Sequence, residues 1–225
     1  MGRRRISREK IVQAFLSIAF EKSAGATSLQ DIAAALHVQK ASLYNHFSSR
    51  DEMYGETLRQ CREAMRAVNF VSDEMAAGGR IFAEDVPGAF RKIIRRYVNL
   101  YEAEPLFQMY AFIHSEQYFN DAAAEVADGE LRKVADGFAG LFRGFSDAGK
   151  TAALPDGRAA QISRLLASAL MQELDAYIIR KKAVVRRNPE CGAGSLFALP
   201  PDDGAISRIC TLADAYIADV AVRRD

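Results

Sequence analysis

The 225-residue chain carries 30 Lys+Arg against 29 Asp+Glu, three Cys, no Trp and 49% apolar residues, a composition that excludes a disordered or fibrous chain and fits a globular protein of one or two domains. The formal net charge of +1 excludes a globally basic nucleic-acid binder, but the charge is unevenly placed. Residues 1 to 50 hold eight Lys/Arg and three Asp/Glu, net +5, and the other 175 hold 22 and 26, net −4.

Cys61, Cys191 and Cys210 show no C-x-x-C spacing, so the sequence predicts neither a disulfide framework nor a zinc site and fits a reducing cytoplasm. Arg3-Arg4-Arg5 followed by Ile11 to Phe20 and Ala24-Gly25-Ala26 imitates an export signal. Gln13 and Ser17 interrupt that stretch and its apolar residues keep helical period, so it reads as a helix. No apolar run approaches the roughly 18 residues of a membrane span.

In chain order, the first helix starts at the N-cap Ser7, with Ile6 and Ile11 spaced as a hydrophobic staple, and Gly25 is its expected stop. Thr27-x-x-Gln30 and Ser28-x-x-Asp31 are both capping-box spacings and open a second, short helix to about Leu36. His37 and Val38 make a turn into a third short helix, about Gln39 to Phe47. Ser49-x-x-Glu52 caps a fourth, expected to run to the Gly78-Gly79 pair. Pro87 opens a helix to about Glu104, and Pro105 starts another through Phe119. Asp121 to Asp147, Arg158 to Ala183 and Asp202 to Arg223 complete the set, with Asn188 to Pro201 as a loop. The prediction is an all-α chain of about nine helices.

Two helices of about two turns, a tight turn, and Leu29, Ile32, Ala33, Leu36, Val38, Leu43 and Phe47 at face-burying positions make a helix-turn-helix. A short helix with a polar start and a basic arm before it suits a major groove about 12 Å wide. Thr27-Ser28, Asp31-Ile32-Ala33, and Leu43-Tyr44-x-His46-Phe47 followed by Ser49-Arg50-Asp51-Glu52 make residues 7 to 58 resemble the DNA-binding domain of the tetracycline-repressor (TetR) family of bacterial regulators. His37 stands where that family usually has Gly, so a positive φ is expected at a non-glycine residue.

The resemblance implies a DNA-binding domain over residues 1 to 50 and an effector-binding and dimerisation domain over 51 to 225. It also implies a ligand-responsive transcriptional repressor that binds a palindromic operator as a homodimer. Gln39, Lys40 and Ser42 are the candidates for base edges, Tyr44 and His46 for the backbone, and Thr27, Ser28 and Lys40 for phosphates. Arg3, Arg4, Arg5 and Arg8 form a candidate arm for phosphates or a minor groove. Against these stand plainer roles: Tyr44 as a half-core residue, His46 as a cap, and the arginines as a solvated tail.

Twelve of the 21 aromatics fall between Phe82 and Phe145. By the resemblance, Tyr97, Tyr101, Phe107, Tyr110, Phe112, His114, Phe138 and Phe142 are candidates to line an effector pocket, with Gln108, Glu116 and Asn120 as further polar handles. Plain core packing is the competing role. Leu166, Leu170, Leu174 and Tyr177, with Ile209, Leu212, Tyr216 and Ile217, give the last two helices apolar faces, which in this family meet a second copy as a four-helix bundle. No phosphate loop, nucleophile elbow or metal-ligand spacing is present, so neither an enzyme nor a cofactor or metal is expected. The competing reading is a DNA-bound protein-interaction regulator of the same fold without a small-molecule effector.

Overall fold

A computed structural model describes residues 6–187 and 203–221. All regular structure among them is helical: α1 (Arg8–Lys22), α2 (Leu29–Ala35), α3 (Lys40–Leu43), α4 (Arg50–Arg66), α5 (Asp73–Ala76), α6 (Arg80–Ala83), α7 (Val86–Glu102), α8 (Leu106–Glu116), α9 (Asp121–Asp147), α10 (Asp156–Arg187) and α11 (Asp203–Ala221). The two elements beyond the expected nine are α5 and α6, joined by a 3-10 turn at Ala77–Gly79. The first of them occupies the stretch assigned by sequence to the end of the fourth helix and the second follows it, because α4 stops at Arg66 and the chain then leaves helical geometry at Val68 to Val71, where β-branched residues and Asn69 are poor helix formers. Arg96 on α7 holds that stretch by donating to the Asn69 carbonyl at 2.9 Å. The Asn188 to Pro201 loop lies outside the described residues.

Helix ends follow local chemistry. Ser7 caps α1, and Asp85 caps α7 with Pro87 in its first turn. The stop of α1 differs from expectation: Ser23, and not Gly25, takes the positive φ, at 86°. The end of α9 is a Schellman turn, with Gly149 at φ 69° and the Lys150 amide bonded to the Phe145 carbonyl at 2.9 Å.

Packing divides the chain into two compact units, Met1–Ala67 with Glu104–Ala127, and Val68–Ala103 with Asp128–Asp225. In the first, α1, α4 and α8 pack on one another, α2 packs on α1, and α3 packs on α2. Phe15 meets Tyr54 and Phe112 edge-on at 6.2 and 6.5 Å, and Phe20 meets Phe107 at 5.3 Å.

In the second unit, Phe70 packs on Tyr97 and Phe138 at 5.2 and 4.8 Å, and Phe90 on Phe138, Phe142 and Phe145. Gly137 is what admits Phe70 to the surface of α9, since a Cβ there would stand 2.5 Å from its ring. The buried Glu130 carboxylate accepts hydrogen bonds from the Tyr97 and Tyr101 hydroxyls and pairs with Lys133 at 2.8 Å. Burial foremost raises the pKa of both phenols, with Tyr101 and then Glu130 adding to it at Tyr97 and Glu130 at Tyr101, so they remain donors. Glu130→Ala strips both hydroxyls of this acceptor in a dry interior. A loss of about 3 kcal/mol is expected from denaturant unfolding, with Glu130→Gln, which keeps an acceptor, losing less.

Candidate nucleic-acid interface

The N-terminus of α2 is closed by a full capping box: Ser28 Oγ accepts from the Asp31 amide, and Asp31 Oδ2 accepts from the Ser28 amide at 2.8 Å. Lys22 adds an ion pair to Asp31 at 2.7 Å. These donors, the Lys22 contact foremost, hold the Asp31 carboxyl well below the usual range. At the other end His37 takes φ 55°, the positive value expected for a residue standing in place of Gly. The turn is a Schellman motif, with the Val38 amide on the Ala33 carbonyl at 2.9 Å and the His37 amide on Ala34 at 3.1 Å.

The third helix is shorter than the expected Gln39 to Phe47. Only Lys40–Leu43 is α-helical, and residues 44 to 46 continue as turns, with the His46 and Phe47 amides both reaching the Leu43 carbonyl. Its N-cap Gln39 makes no side-chain capping bond, so nothing local lengthens it. What anchors it is burial: Ile32, Ala33, Leu43 and Phe47 are each 1% exposed or less.

With that face buried, the opposite face points out. Gln39 and Lys40 are exposed, Tyr44 is 49% exposed, and Ser42 and His46 are half-buried. Five of the expected DNA residues therefore share one small surface. Asn45, which sequence reasoning did not single out, is exposed beside them. Ser28 is exposed as well, although its hydroxyl is engaged with Asp31 at 2.6 Å. Thr27 sits otherwise than expected: it is 1% exposed and its hydroxyl donates to the Ser23 carbonyl at 2.8 Å, so it shapes the turn before α2 and presents no donor at the surface. Arg3, Arg4 and Arg5 lie outside the described residues.

Two arginines that no periodicity marks hold this segment in place. Arg50, in the first turn of α4, donates to the backbone carbonyls of Thr27, at 2.8 Å, and Ala24, and lies 5.6 Å from the Phe15 ring centroid. Arg8 of α1 donates to the His46 carbonyl and, at 2.9 Å, to Glu52, with its guanidinium 4.0 Å above the Phe47 ring. Their partners stand 23 to 44 positions away, beyond the reach of any local pattern. Arg50→Ala leaves two carbonyls of the α1–α2 turn without their charged donor. A loss of about 2 kcal/mol in urea unfolding is expected, with faster amide exchange across residues 23 to 28.

The expected effector residues divide between the two units. Phe107, Tyr110, Phe112 and His114 lie on α8, where the first two are fully buried and Phe112 is 2% exposed. His114 stacks on Tyr110 at 3.9 Å. Tyr97, Tyr101, Phe138 and Phe142 lie in the second unit, and all four are buried. Phe142 also lines a partly open cavity of about 320 Å³ with Arg143, Ser146, Asp147, Leu154 and neighbouring alanines. Of the expected dimer residues, Leu166, Leu170, Leu174, Tyr177, Ile209 and Ile217 are each 4% exposed or less within a single chain, so their apolar faces are used internally. The side chains of Leu212 and Tyr216 lie outside those described. On α10, Leu165 is 48% and Ile179 68% exposed.

Among the described residues, no group of three or more His, Cys, Asp or Glu is placed to hold a metal, and no helix is long and apolar enough to cross a membrane. The thiol of Cys61 is buried, and that burial pushes its pKa up to about 12.

Residues 11–57 match the model of the N-terminal domain of bacterial regulatory proteins, tetR family. The biofilm operon icaADBC HTH-type negative transcriptional regulator IcaR of Staphylococcus aureus is 35% identical over 54 residues, 24% of this chain; the matched part spans 29% of that relative. A transcriptional regulator from Rhodococcus sp. Rha1 superposes with a TM-score of 0.58 at 16% identity, covering 96% of this chain and 99% of its own. SmeT, the repressor of the Stenotrophomonas maltophilia multidrug efflux pump SmeDEF, superposes with a TM-score of 0.54 at 16% identity, covering 98% and 93%. Residues 11–57 therefore carry the helix-turn-helix segment of the tetR family of bacterial regulatory proteins, and the chain shares its fold with these solved regulators.

Proposed function

We propose that the chain is a cytoplasmic transcriptional repressor that binds a palindromic operator as a homodimer and is released by a small, largely apolar effector. In this reading residues 1 to 50 read DNA, and residues 51 to 225 sense the effector and dimerise. The observation that carries it is the exposed polar set Gln39, Lys40 and Tyr44 on a short helix and its caps, held by the buried Leu43 and the Phe47 that follows. Gln39 pairs with adenine, Lys40 with guanine, and Ser42 with either, while Tyr44 and His46 contact the phosphate backbone and Arg3, Arg4 and Arg5 extend the basic arm. The similarity to IcaR, a negative transcriptional regulator, and to SmeT, a repressor, supports repression over activation.

One such helix alone reads too few base pairs to be specific, which favours a two-fold dimer with recognition helices spaced at about 34 to 36 Å. Leu165 and Ile179 of α10 supply exposed apolar surface for that contact. The effector works only through a difference in its affinity for the DNA-competent and incompetent states. Tyr97, Tyr101, Phe138 and Phe142, with Phe107, Tyr110, Phe112 and His114, are the side chains assigned to that sensing role.

Enrichment of DNA from a random duplex pool by the full chain tests the reading. A symmetric pair of half-sites is expected; no enrichment, or a single asymmetric site, would overturn it. The mutual packing of Phe70, Phe90, Phe138 and Phe142 favours a second reading, a DNA-bound protein-interaction regulator with a filled core. Thermal shift against a library of small apolar compounds separates the two, since only an effector sensor gains stability from one of them.

A further inference from the structure

Arg8 neighbours the basic arm in sequence, but its guanidinium is engaged within the protein. One edge donates to the His46 carbonyl and to Glu52, and its face covers the ring of Phe47. Glu52 in turn uses its other oxygen to accept from the Ser48 amide at 2.6 Å and the Ser48 hydroxyl at 2.8 Å. The Arg8 contact, followed by these donors, holds the Glu52 carboxyl down at about 2, so the pair stays charged at any working pH.

We propose that Arg8 and Glu52 form a clamp that positions the recognition helix, and that Arg8 is not a phosphate contact. The inference rests on the DNA-reading function proposed above. The physical need is plain. A helix of four residues is far below the length at which a helix holds itself, and its terminal carbonyls lack partners within it. Burial of Leu43 and Phe47 fixes the inner face and the His46 and Phe47 amides close on the Leu43 carbonyl, which leaves the His46 carbonyl and the Ser48 amide to side-chain partners. Arg8 from α1 and Glu52 from α4 close that end from two sides: the guanidinium supplies a charged donor to the His46 carbonyl, and the carboxylate fixes the Ser48 amide. The orientation of Gln39, Lys40 and Ser42 towards base edges then depends on residues that touch no DNA.

The test uses full-length Arg8→Ala, Glu52→Ala, the double variant and Arg8→Lys. Each is titrated against the duplex that the wild-type chain enriches from a random pool, over a salt series, with amide exchange followed on the free protein. Either alanine variant is expected to weaken binding about tenfold, the scale of one charge-assisted hydrogen bond, and the double variant no further than the weaker single one. The slope of log affinity against log salt stays as in the wild type. Exchange quickens at Phe47 and Ser48 while the interiors of α1 and α4 keep their protection. Arg8→Lys does not rescue, because an ammonium cannot serve the carbonyl, the carboxylate and the ring together.

A slope shallower by about one in Arg8→Ala, with rescue by Arg8→Lys, would make Arg8 a phosphate contact and overturn the clamp. Unchanged affinity and exchange would reduce the pair to an idle surface ion pair, with the same consequence. Should the wild-type chain enrich no duplex, the DNA-reading function falls. Exchange at Phe47 and Ser48 then still decides whether the clamp holds the helix.

Discussion

Leu165→Glu combined with Ile179→Glu is expected to yield a folded monomer that has lost at least about 100-fold in operator affinity. The two residues lie 14 positions apart on α10, close to four helical turns, so they share a face. Between them on that side stand Ser168 and Gln172, both exposed, and Ser168 leaves room for a second helix to approach. Leu165 keeps 48% and Ile179 68% of its surface in water in the single chain, and neither belongs to the buried core, so the substitutions leave that core intact. Two carboxylates per chain, brought against their two-fold mates, make association unfavourable. The loss of affinity follows from avidity, since tethering two half-site readers raises affinity by about 10² to 10⁴ over either alone.

Analytical ultracentrifugation reads the association state, circular dichroism the fold, and titration the affinity. A variant that remains dimeric would remove this face from the interface. Substituting Leu170 or Leu174 instead would confuse the experiment. They are 3% and 0% exposed within their own chain, and a charge there would unfold it.

Lys40→Ala is expected to cost about 1 to 3 kcal/mol per half-site and to relax sequence preference at one position of each. Lys40 is exposed at the first residue of α3, the end of a recognition helix that reaches deepest towards base edges. Selection with the variant reads the preference, and titration reads the affinity. Uniform weakening across sequences, with a salt slope lower by about one, would instead place Lys40 on a phosphate. Unchanged affinity would take it out of the interface. Gln39→Ala, exposed at the N-cap, is the companion variant, with its effect confined to a different base position.

Much of the DNA-reading segment was legible because its signals are local. Ser28 and Asp31 stand at capping distance, Leu43 and Phe47 one helical turn apart, and His37 at the position that needs a positive φ; each is a relation between residues at most five apart. The same holds for the bounds of α9, read as Asp121 to Asp147 and found there. The shortness of α3 was not legible, because hydrophobic spacing marks a buried face without showing where helical hydrogen bonding ends. Thr27 shows the same limit. Its residue type suits a phosphate contact, but only the turn around it decides that its hydroxyl goes to the Ser23 carbonyl.

By itself the sequence determined the helical class, the caps and turn of the helix-turn-helix, the side chains available to read DNA, and the segregation of charge into a basic first 50 residues and an acidic remainder. Only the tertiary structure decided that Arg8 and Arg50 serve backbone carbonyls, that Tyr97 and Tyr101 share the buried Glu130, and that α8 packs with α1 and α4. It also decided that six of the eight expected dimer residues are spent inside their own chain. The reason is range. Caps and amphipathic stripes are set by neighbours within one or two turns and are therefore written in spacing. The partner of a buried hydroxyl or a guanidinium is chosen by which distant segments the fold brings together, and no interval along the chain encodes that choice.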